Sequence, residues 1–307
     1  MLRSLTALLF VSLQFSFFCV SSSAQKKPSK NAAATAITPN SPAFSSDPQL
    51  EAGFRALYEQ KFSEARSTFQ QWTNQHPTEP FGGVCLAASY LFEEFYVQNV
   101  LTSDYFLDDK RFTGGITGTP DPTRIKNFQE SAGKARTQAF QLLKVHPRDP
   151  EGLYVLTLVA GMESDADSML LKKHVDALKR LKEANANAEM LLADHPDAYD
   201  AYVALGVANY VIGSLSSGAR MVLWFGGIHG DKKLGMDQVQ KTADNGHYLK
   251  PFAQILLALS SRREKQDENA QRLLKALTEE FPGNAVYIAE YAKARGQLIP
   301  ATIGPAN

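Results

Sequence analysis

The histidines are the residues that most readily suggest chemistry, because imidazole binds metals and transfers protons. Three of them directly precede a proline at the end of a helical pattern, where the side chain can bond the last carbonyl groups and complement the helix dipole. Their spacing contains no HExxH or other metal-ligand motif. The pattern therefore favours helix-end contacts over a metal site. The six residues are His76, His146, His174, His195, His229 and His247.

Carboxylates offer two further arrangements. Three aspartates lie close together, but a calcium loop needs alternating oxygen ligands around a central glycine, which this run lacks. Glu93 and Glu94 are adjacent, so they point to different sides of a helix and make a poor acid–base pair. Solvated carboxylates are therefore favoured over a calcium or acid–base site. The three aspartates are Asp104, Asp108 and Asp109.

A nucleophile and a phosphate cradle are equally poorly supported. Cys85 lies on an apolar helix face, which favours a buried, inert thiol. Gly226, Gly227 and Gly230 resemble a phosphate-binding loop in composition, but no strand precedes them and the G-x-G-x-x-G spacing is absent. The sequence therefore predicts no catalytic residue, no metal and no cofactor. We expect a protein that is not an enzyme.

Aromatic side chains form the densest candidate site. Such a cluster commonly fills and caps the core of a helical protein. The alternative is a partly exposed apolar groove that binds a peptide or a lipid-like ligand. The residues that would form this partner-binding surface are Phe92, Phe95, Tyr96, Tyr105, Phe106, Phe112 and Trp224.

The elements that must position these residues are helices. Between residues 184 and 213 a helical pattern runs to a proline, breaks for a few residues and restarts with apolar side chains at helical period. Proline lacks the backbone N–H and clashes with the preceding turn, so each such proline ends a helix. The chain is therefore predicted to be a series of helix–turn–helix units. The dividing prolines are Pro77, Pro147, Pro196 and Pro282.

The first unit carries a family resemblance. Gly53, Ala65, Phe69 and Pro77 fall at the small, small, aromatic and proline positions of the 34-residue tetratricopeptide repeat. The chain resembles that superfamily over most of residues 48–296, with degenerate copies. The resemblance implies an all-α, right-handed α-solenoid of about a dozen helices whose first helices line a concave face. The register recurs at Ala135, Ala139 and Pro147, at Ala184, Ala188 and Pro196, and at Ala270, Leu274 and Pro282.

Two stretches interrupt the array, because the dividing prolines are 70, 49 and 86 residues apart. The first interruption (residues 103–123) has glycines, prolines and no helical period, which predicts a long loop. The second interruption (residues 213–231) holds a short apolar helix around residues 221–225 and a glycine-rich turn. Residues 213–262 also resemble the inclusion-body-clearance type of tetratricopeptide protein, and that resemblance brings no catalytic motif.

The ends of the chain differ in composition from the middle. Arg3, an apolar stretch and small residues up to Ala24 are typical of a secretory signal peptide, which predicts a periplasmic or secreted protein. A lipoprotein signal is disfavoured because phenylalanines precede Cys19. The predicted divisions are a signal peptide (1–24), a disordered Ser/Pro/Ala-rich spacer (25–46), a tetratricopeptide-like solenoid (47–297) and a flexible tail (298–307).

Composition narrows the choice of partner. The 307-residue chain has 32 basic and 32 acidic residues, so it has no net charge to attract nucleic acid. Some relatives of the resembled superfamily hold a peptide carboxylate with Lys and Asn on their first helices, and here apolar residues stand at those places. We expect a non-enzymatic protein-interaction or scaffold module with an apolar concave groove; the alternative is a membrane-associated accessory protein that binds lipid or an apolar ligand. The apolar positions are Leu50, Phe54, Val84, Ala88, Val203 and Val207.

Overall fold

The described part of the chain is entirely helical. The computed structural model describes residues 44–225 and 227–297, which contain fourteen α-helices and no strand. The predicted signal peptide, nearly all of the predicted spacer and the predicted C-terminal tail lie outside the described residues. The all-α prediction is confirmed for the part of the chain that the structure describes.

The helices follow one another with short connections. A five-residue π-helix, Ala166–Leu170, extends the seventh helix, and a short 3-10 turn, Tyr199–Ala201, precedes the ninth. The α-helices are α1 (Pro48–Tyr58), α2 (Phe62–Gln75), α3 (Phe81–Val97), α4 (Ser103–Phe106), α5 (Asp109–Gly114), α6 (Pro122–Val145), α7 (Pro150–Asp165), α8 (His174–Asp194), α9 (Tyr202–Ser214), α10 (Ser217–Phe225), α11 (Lys232–Asn245), α12 (Lys250–Arg263), α13 (Asp267–Glu280) and α14 (Ala285–Ala294).

Capping residues explain where several helices begin. Asp47 accepts hydrogen bonds from the backbone N–H groups of Gln49 and Leu50, both at 2.9 Å, and the next residue is proline. Asp121 and Asp231 cap α6 and α11 in the same way. A carboxylate at this position satisfies N–H groups that the helix leaves free and complements the helix dipole. Each of these three aspartates therefore marks the start of its helix.

The longer helices pack against their neighbours in the sequence. Each of them contacts the next along the chain, from α1 with α2 to α13 with α14. Glycine permits a close crossing between α9 and α11: a Cβ atom on Gly206 would lie 2.5 Å from Val239 Cγ2 and 2.8 Å from the carbonyl oxygen of Gly235. A side chain at Gly206 would therefore force these two helices apart.

The first hairpin also contacts the last ones. Tyr58 donates a hydrogen bond to the carbonyl oxygen of Tyr248 at 2.7 Å, and Asn284 donates one to the carbonyl oxygen of Tyr58 at 2.7 Å. The Phe54 ring stacks on Tyr248 with 4.6 Å between centroids, and Phe81 lies 5.5 Å from Tyr248. Helices distant in sequence thus share one core. We call Phe54, Phe81, Tyr154 and Tyr248 the central aromatic cluster.

The first interruption is more regular than its composition predicts. Residues 103–114 form α4 and α5, so the prediction of a loop without helices was wrong for this part. The Asp108 side chain starts α5 by accepting hydrogen bonds from the N–H groups of Lys110 and Arg111 at 2.8 and 3.2 Å. Short helices of this kind have no apolar period long enough to detect, because they span about one turn.

Candidate functional site

The predicted partner-binding aromatics separate by burial. Phe95 and Tyr105 are each 1% exposed and Phe106 is 9% exposed, so all three belong to the core. Phe92, Tyr96 and Phe112 are half-buried and pack against the same core. The buried rings have no free face for a partner in this conformation. Their burial has a simple physical reason, which is that large aromatic side chains fill the space between crossing helices.

The surface predicted to line a concave groove is also internal. Val84, Ala88 and Val203, together with Leu50 and Phe54, are each less than 9% exposed. The central aromatic cluster lies where these inner faces meet, and contacts between the first and last hairpins cover it. The inner faces therefore stabilise the fold instead of presenting an open groove.

A small cleft remains beside this core. Phe92, Phe95 and Tyr96 line it, at the place where α1 and α3 approach α14, and its cavity volume is about 40 Å³. That space accommodates only a few water-sized groups, whereas sites for small molecules measure about 300–1,000 Å³. The cleft brings three of the predicted site residues together but has no room for a peptide or a lipid chain.

The first interruption is held against the C-terminal helices. Arg263 donates a hydrogen bond to the carbonyl oxygen of Phe106 and forms an ion pair with Asp109, and its guanidinium lies 4.5 Å from the centre of the Phe112 ring. Lys293 pairs with Asp104 at 2.8 Å. These contacts use the acidic and aromatic side chains of the segment within the protein itself.

Two ionisable groups lie near the join of α7 with its π-helix. Burial raises the pKa of Asp165 to about 7 and that of Tyr105 to about 12. The Tyr105 hydroxyl is buried and has no hydrogen-bond partner among the described residues. We assign these two groups no chemistry.

The other buried charges have structural partners. Asp200 accepts hydrogen bonds from the N–H groups of His247 and Tyr248 at 2.7 and 2.9 Å, which fixes the turn before α12, and burial raises its pKa. Glu94 pairs with Arg124 at 2.8 Å. Buried carboxylates that are satisfied in this way hold helices together and are not available for proton transfer to a substrate.

The remaining sequence candidates lie apart. Burial raises the pKa of the Cys85 thiol, which is fully enclosed and therefore a poor nucleophile. Within residues 44–225 and 227–297, no group of three or more His, Cys, Asp or Glu residues is arranged to hold a metal ion. None of the helices in these ranges combines the length and apolar character needed to cross a membrane.

Helix α10 exposes a run of large apolar side chains. None of its described residues is buried, although its last five residues are Met221, Val222, Leu223, Trp224 and Phe225. Four of these side chains are between 57% and 77% exposed, and Leu223 is half-buried. A contiguous exposed group of large apolar side chains typically marks a surface that another molecule covers.

Local hydrogen bonds define both ends of α10. Ser216 precedes it and its Oγ accepts a hydrogen bond from the Ala219 N–H at 3.4 Å. At the other end, Gly227 has φ of +72°, and the Ile228 N–H donates to the Leu223 carbonyl oxygen at 2.9 Å. A left-handed glycine followed by this backbone hydrogen bond is a common way to end a helix. The apolar side chains are therefore presented on a regular scaffold.

Trp224 is the one predicted site residue that the structure leaves exposed. Its ring contacts Phe225, with 5.3 Å between centroids, and lies 6.2 Å from His229. Met221, Val222 and Phe225 were not among the predicted site residues. The uninterrupted run of five apolar residues outside the repeat register was the sequence signal that could have identified them.

Comparisons with known proteins provide no family assignment. No protein-family model matches the chain, and no curated protein matches its sequence. The function is therefore inferred from the geometry of the described residues.

Proposed function

We propose that this protein is a non-enzymatic interaction module that binds a partner, either a protein or a membrane, through the apolar surface of α10. The observation that supports this proposal is the exposure of Met221, Val222, Trp224 and Phe225 on one short helix. Burying such side chains releases them from water, which supplies most of the free energy of association in many complexes.

The proposed contact surface differs from the concave groove that a tetratricopeptide solenoid would use. The inner helices here are covered by the first and last hairpins, whereas α10 projects from the connection between α9 and α11. We propose that the hairpins follow the right-handed winding of the tetratricopeptide superfamily and act as a rigid support. In this arrangement the close crossing at Gly206 holds the two ends of the second interruption.

The proposal extends to location and processing. We propose a periplasmic or secreted protein that is released from its signal peptide after Ala24, with lipidation at Cys19 as the disfavoured alternative. The mass of the protein isolated from its native host tests this step: a chain that begins at Gln25 supports it, and an acylated Cys19 contradicts it.

Photo-crosslinking tests the proposed contact surface directly. A photoreactive amino acid at position 222 should give adducts in the native host, because Val222 is 60% exposed within the apolar surface. The same amino acid at position 175 is the matched control, since Val175 is 69% exposed on another helix. Trp224→Ser/Phe225→Ser should abolish the adducts at position 222. Equal amounts of adduct at positions 222 and 175, or no adduct at position 222, would contradict the proposal.

A further inference from the structure

We infer that the partner bound by α10 is the surface of an anionic lipid bilayer, into which the end of the helix inserts. This inference rests on the proposed function, because it identifies the partner of the same apolar surface. Three properties of α10 support it: the distribution of its apolar side chains, their small total area and the charges beside them.

The apolar side chains point in too many directions for a groove. At 100° per residue, Met221, Val222, Trp224 and Phe225 cover about 160° of the helix circumference. They lie within the last five residues of the helix, and the preceding turn, which contains Ser217 and Gly218, has no large apolar side chain. A helix that binds in a protein groove instead presents a narrow stripe over several turns. A bilayer surrounds an inserted helix end and requires no such stripe.

The apolar surface of α10 is also too small to form a stable protein–protein interface by itself. Together the four exposed side chains present roughly 500 Å² of apolar surface. A stable protein interface buries about 800 Å² on each partner, including a second copy of the same chain. A membrane imposes no such threshold, since insertion requires no complementary shape from the lipid.

The charges next to the apolar end fit an anionic surface. No acidic residue occurs between Asp200 and Asp231. Arg220 immediately precedes the apolar run and is exposed, and it forms no ion pair with any described residue. Lys233 is paired with Asp237 at 2.6 Å, and the Asp231 side chain caps α11. Lys232 is likewise paired with Glu264 at 2.8 Å. Among the described residues of the second interruption, Arg220 is therefore the cation free to meet a lipid phosphate.

Trp224 has the chemistry of an interfacial residue. Tryptophan is enriched at the boundary of hydrocarbon and headgroups because its ring is apolar while its N–H is a hydrogen-bond donor. Its neighbour Phe225 is 77% exposed and follows it at the end of the helix, where it would reach deepest. The insertion would be confined to this helix end, with α9 and α11 outside the bilayer.

Tryptophan fluorescence provides the first test. The chain has two tryptophans, and Trp72 is fully buried and hydrogen-bonded to Asp47 at 3.1 Å. Only Trp224 should respond when vesicles of phosphatidylglycerol and phosphatidylcholine are added. Its emission should shift to the blue, and brominated lipid in the same vesicles should quench it. Unchanged emission, with no protein in the floated vesicle fraction, would overturn the inference.

Variants separate the apolar and ionic contributions. Trp224→Ser/Phe225→Ser should weaken flotation with anionic vesicles by more than about 20-fold. Val145→Ser/Val175→Ser should leave flotation unchanged, because each of those exposed valines stands outside the second interruption. Arg220→Gln should weaken binding to anionic vesicles by about fivefold and leave binding to pure phosphatidylcholine unchanged. Equal flotation of all three variants would contradict insertion by α10.

Two other occupants give distinct outcomes. If α10 joins two copies of the chain, sedimentation without vesicles should show a dimer that Trp224→Ser/Phe225→Ser abolishes, and the lipid inference fails. If adducts with another protein form at position 222 but the vesicles do not bind this protein, the proposed interaction module is supported and the inference of a lipid partner is wrong. If neither adducts nor vesicle binding occur, both proposals fail.

Discussion

The two interruptions of the hairpin array are similar in composition, but their aromatic side chains differ in burial. Both contain glycines and a pair of adjacent aromatic residues, and both lie between pairs of packed helices. In the first, Tyr105 is 1% and Phe106 9% exposed. In the second, Trp224 is 57% and Phe225 77% exposed. Aromatic density by itself therefore does not distinguish a core segment from a binding surface.

The difference between the interruptions lies in their partners elsewhere in the chain. Asp104 and Asp109 of the first pair with Lys293 and Arg263, which come from helices near the C-terminus. The charged side chain of α10 is Arg220, which has no ion pair among the described residues. Long-range polar contacts thus hold one segment over the core, and the absence of such contacts in the described residues leaves the other exposed.

The largest effect is expected from Tyr105→Ala/Phe106→Ala. Removing two buried aromatic rings leaves a cavity and loses their transfer free energy, so the free energy of unfolding should fall by at least about 4 kcal/mol. Chemical denaturation followed by circular dichroism measures this change. A drop below about 1 kcal/mol would show that the first interruption is as loosely held as the second.

Tyr105→Phe is the matched control for that variant. It keeps the ring and removes a hydroxyl that is buried without a hydrogen-bond partner in the described residues. Stability should be unchanged or rise by up to about 1 kcal/mol, because an unsatisfied buried hydroxyl is unfavourable. A clear loss of stability would indicate that the hydroxyl has a partner such as water.

Gly206→Leu tests the support beneath the second interruption. The added side chain would meet Val239 and the backbone of Gly235, so the α9–α11 crossing should lose about 1–3 kcal/mol. Gly218→Ala is the control, because nothing lies within 4 Å of a Cβ atom there. An unchanged melting temperature for Gly206→Leu would mean that this crossing does not hold the two ends of α10.

Asp165→Asn tests burial beside the first interruption through pH. The folded-state pKa of about 7 exceeds the unfolded value of about 3.9, so the folded protein holds an extra proton between these pH values. The protein should lose stability as pH rises from 4 to 7, and the variant should lack this part of the loss. Because Asp165 is half-buried, we expect the variant to gain about 1–2 kcal/mol over the native chain by pH 8. Parallel pH profiles would contradict this prediction.

The smallest effect on stability is expected from Trp224→Ser/Phe225→Ser. These side chains are exposed and contact mainly each other, so the free energy of unfolding should change by less than about 0.5 kcal/mol. The same denaturation measurement as for Tyr105→Ala/Phe106→Ala checks it. A loss of more than about 2 kcal/mol would show that α10 packs on the domain and would remove the contrast between the two interruptions.

Local chemistry made much of the helical framework predictable from the sequence. Proline ends helices because it lacks an N–H group, and the chain breaks at Pro77, Pro147, Pro196 and Pro282. Aspartates at residues 47, 121 and 231 satisfy the free N–H groups of the next turn. These effects act over three or four residues, so a single sequence displays them directly.

The sequence also indicated the place of the exposed helix. Five consecutive apolar residues at 221–225 lie outside the repeat register, and this pattern predicted a short helix that the structure contains. It did not reveal exposure, because an apolar run is equally compatible with a buried helix. Only Trp224 of the exposed group was therefore predicted as a site residue.

Tertiary structure alone decided which aromatic residues are covered. Phe95 and Tyr105 are buried by helices brought together from distant parts of the chain, through contacts such as those of Tyr58 with Tyr248 and Asn284. Hydrophobic periodicity indicates which face of a helix is apolar, but it does not indicate which other helix covers that face. Burial is a property of packed pairs, so whether an aromatic cluster forms core or surface depends on long-range packing that no local pattern contains.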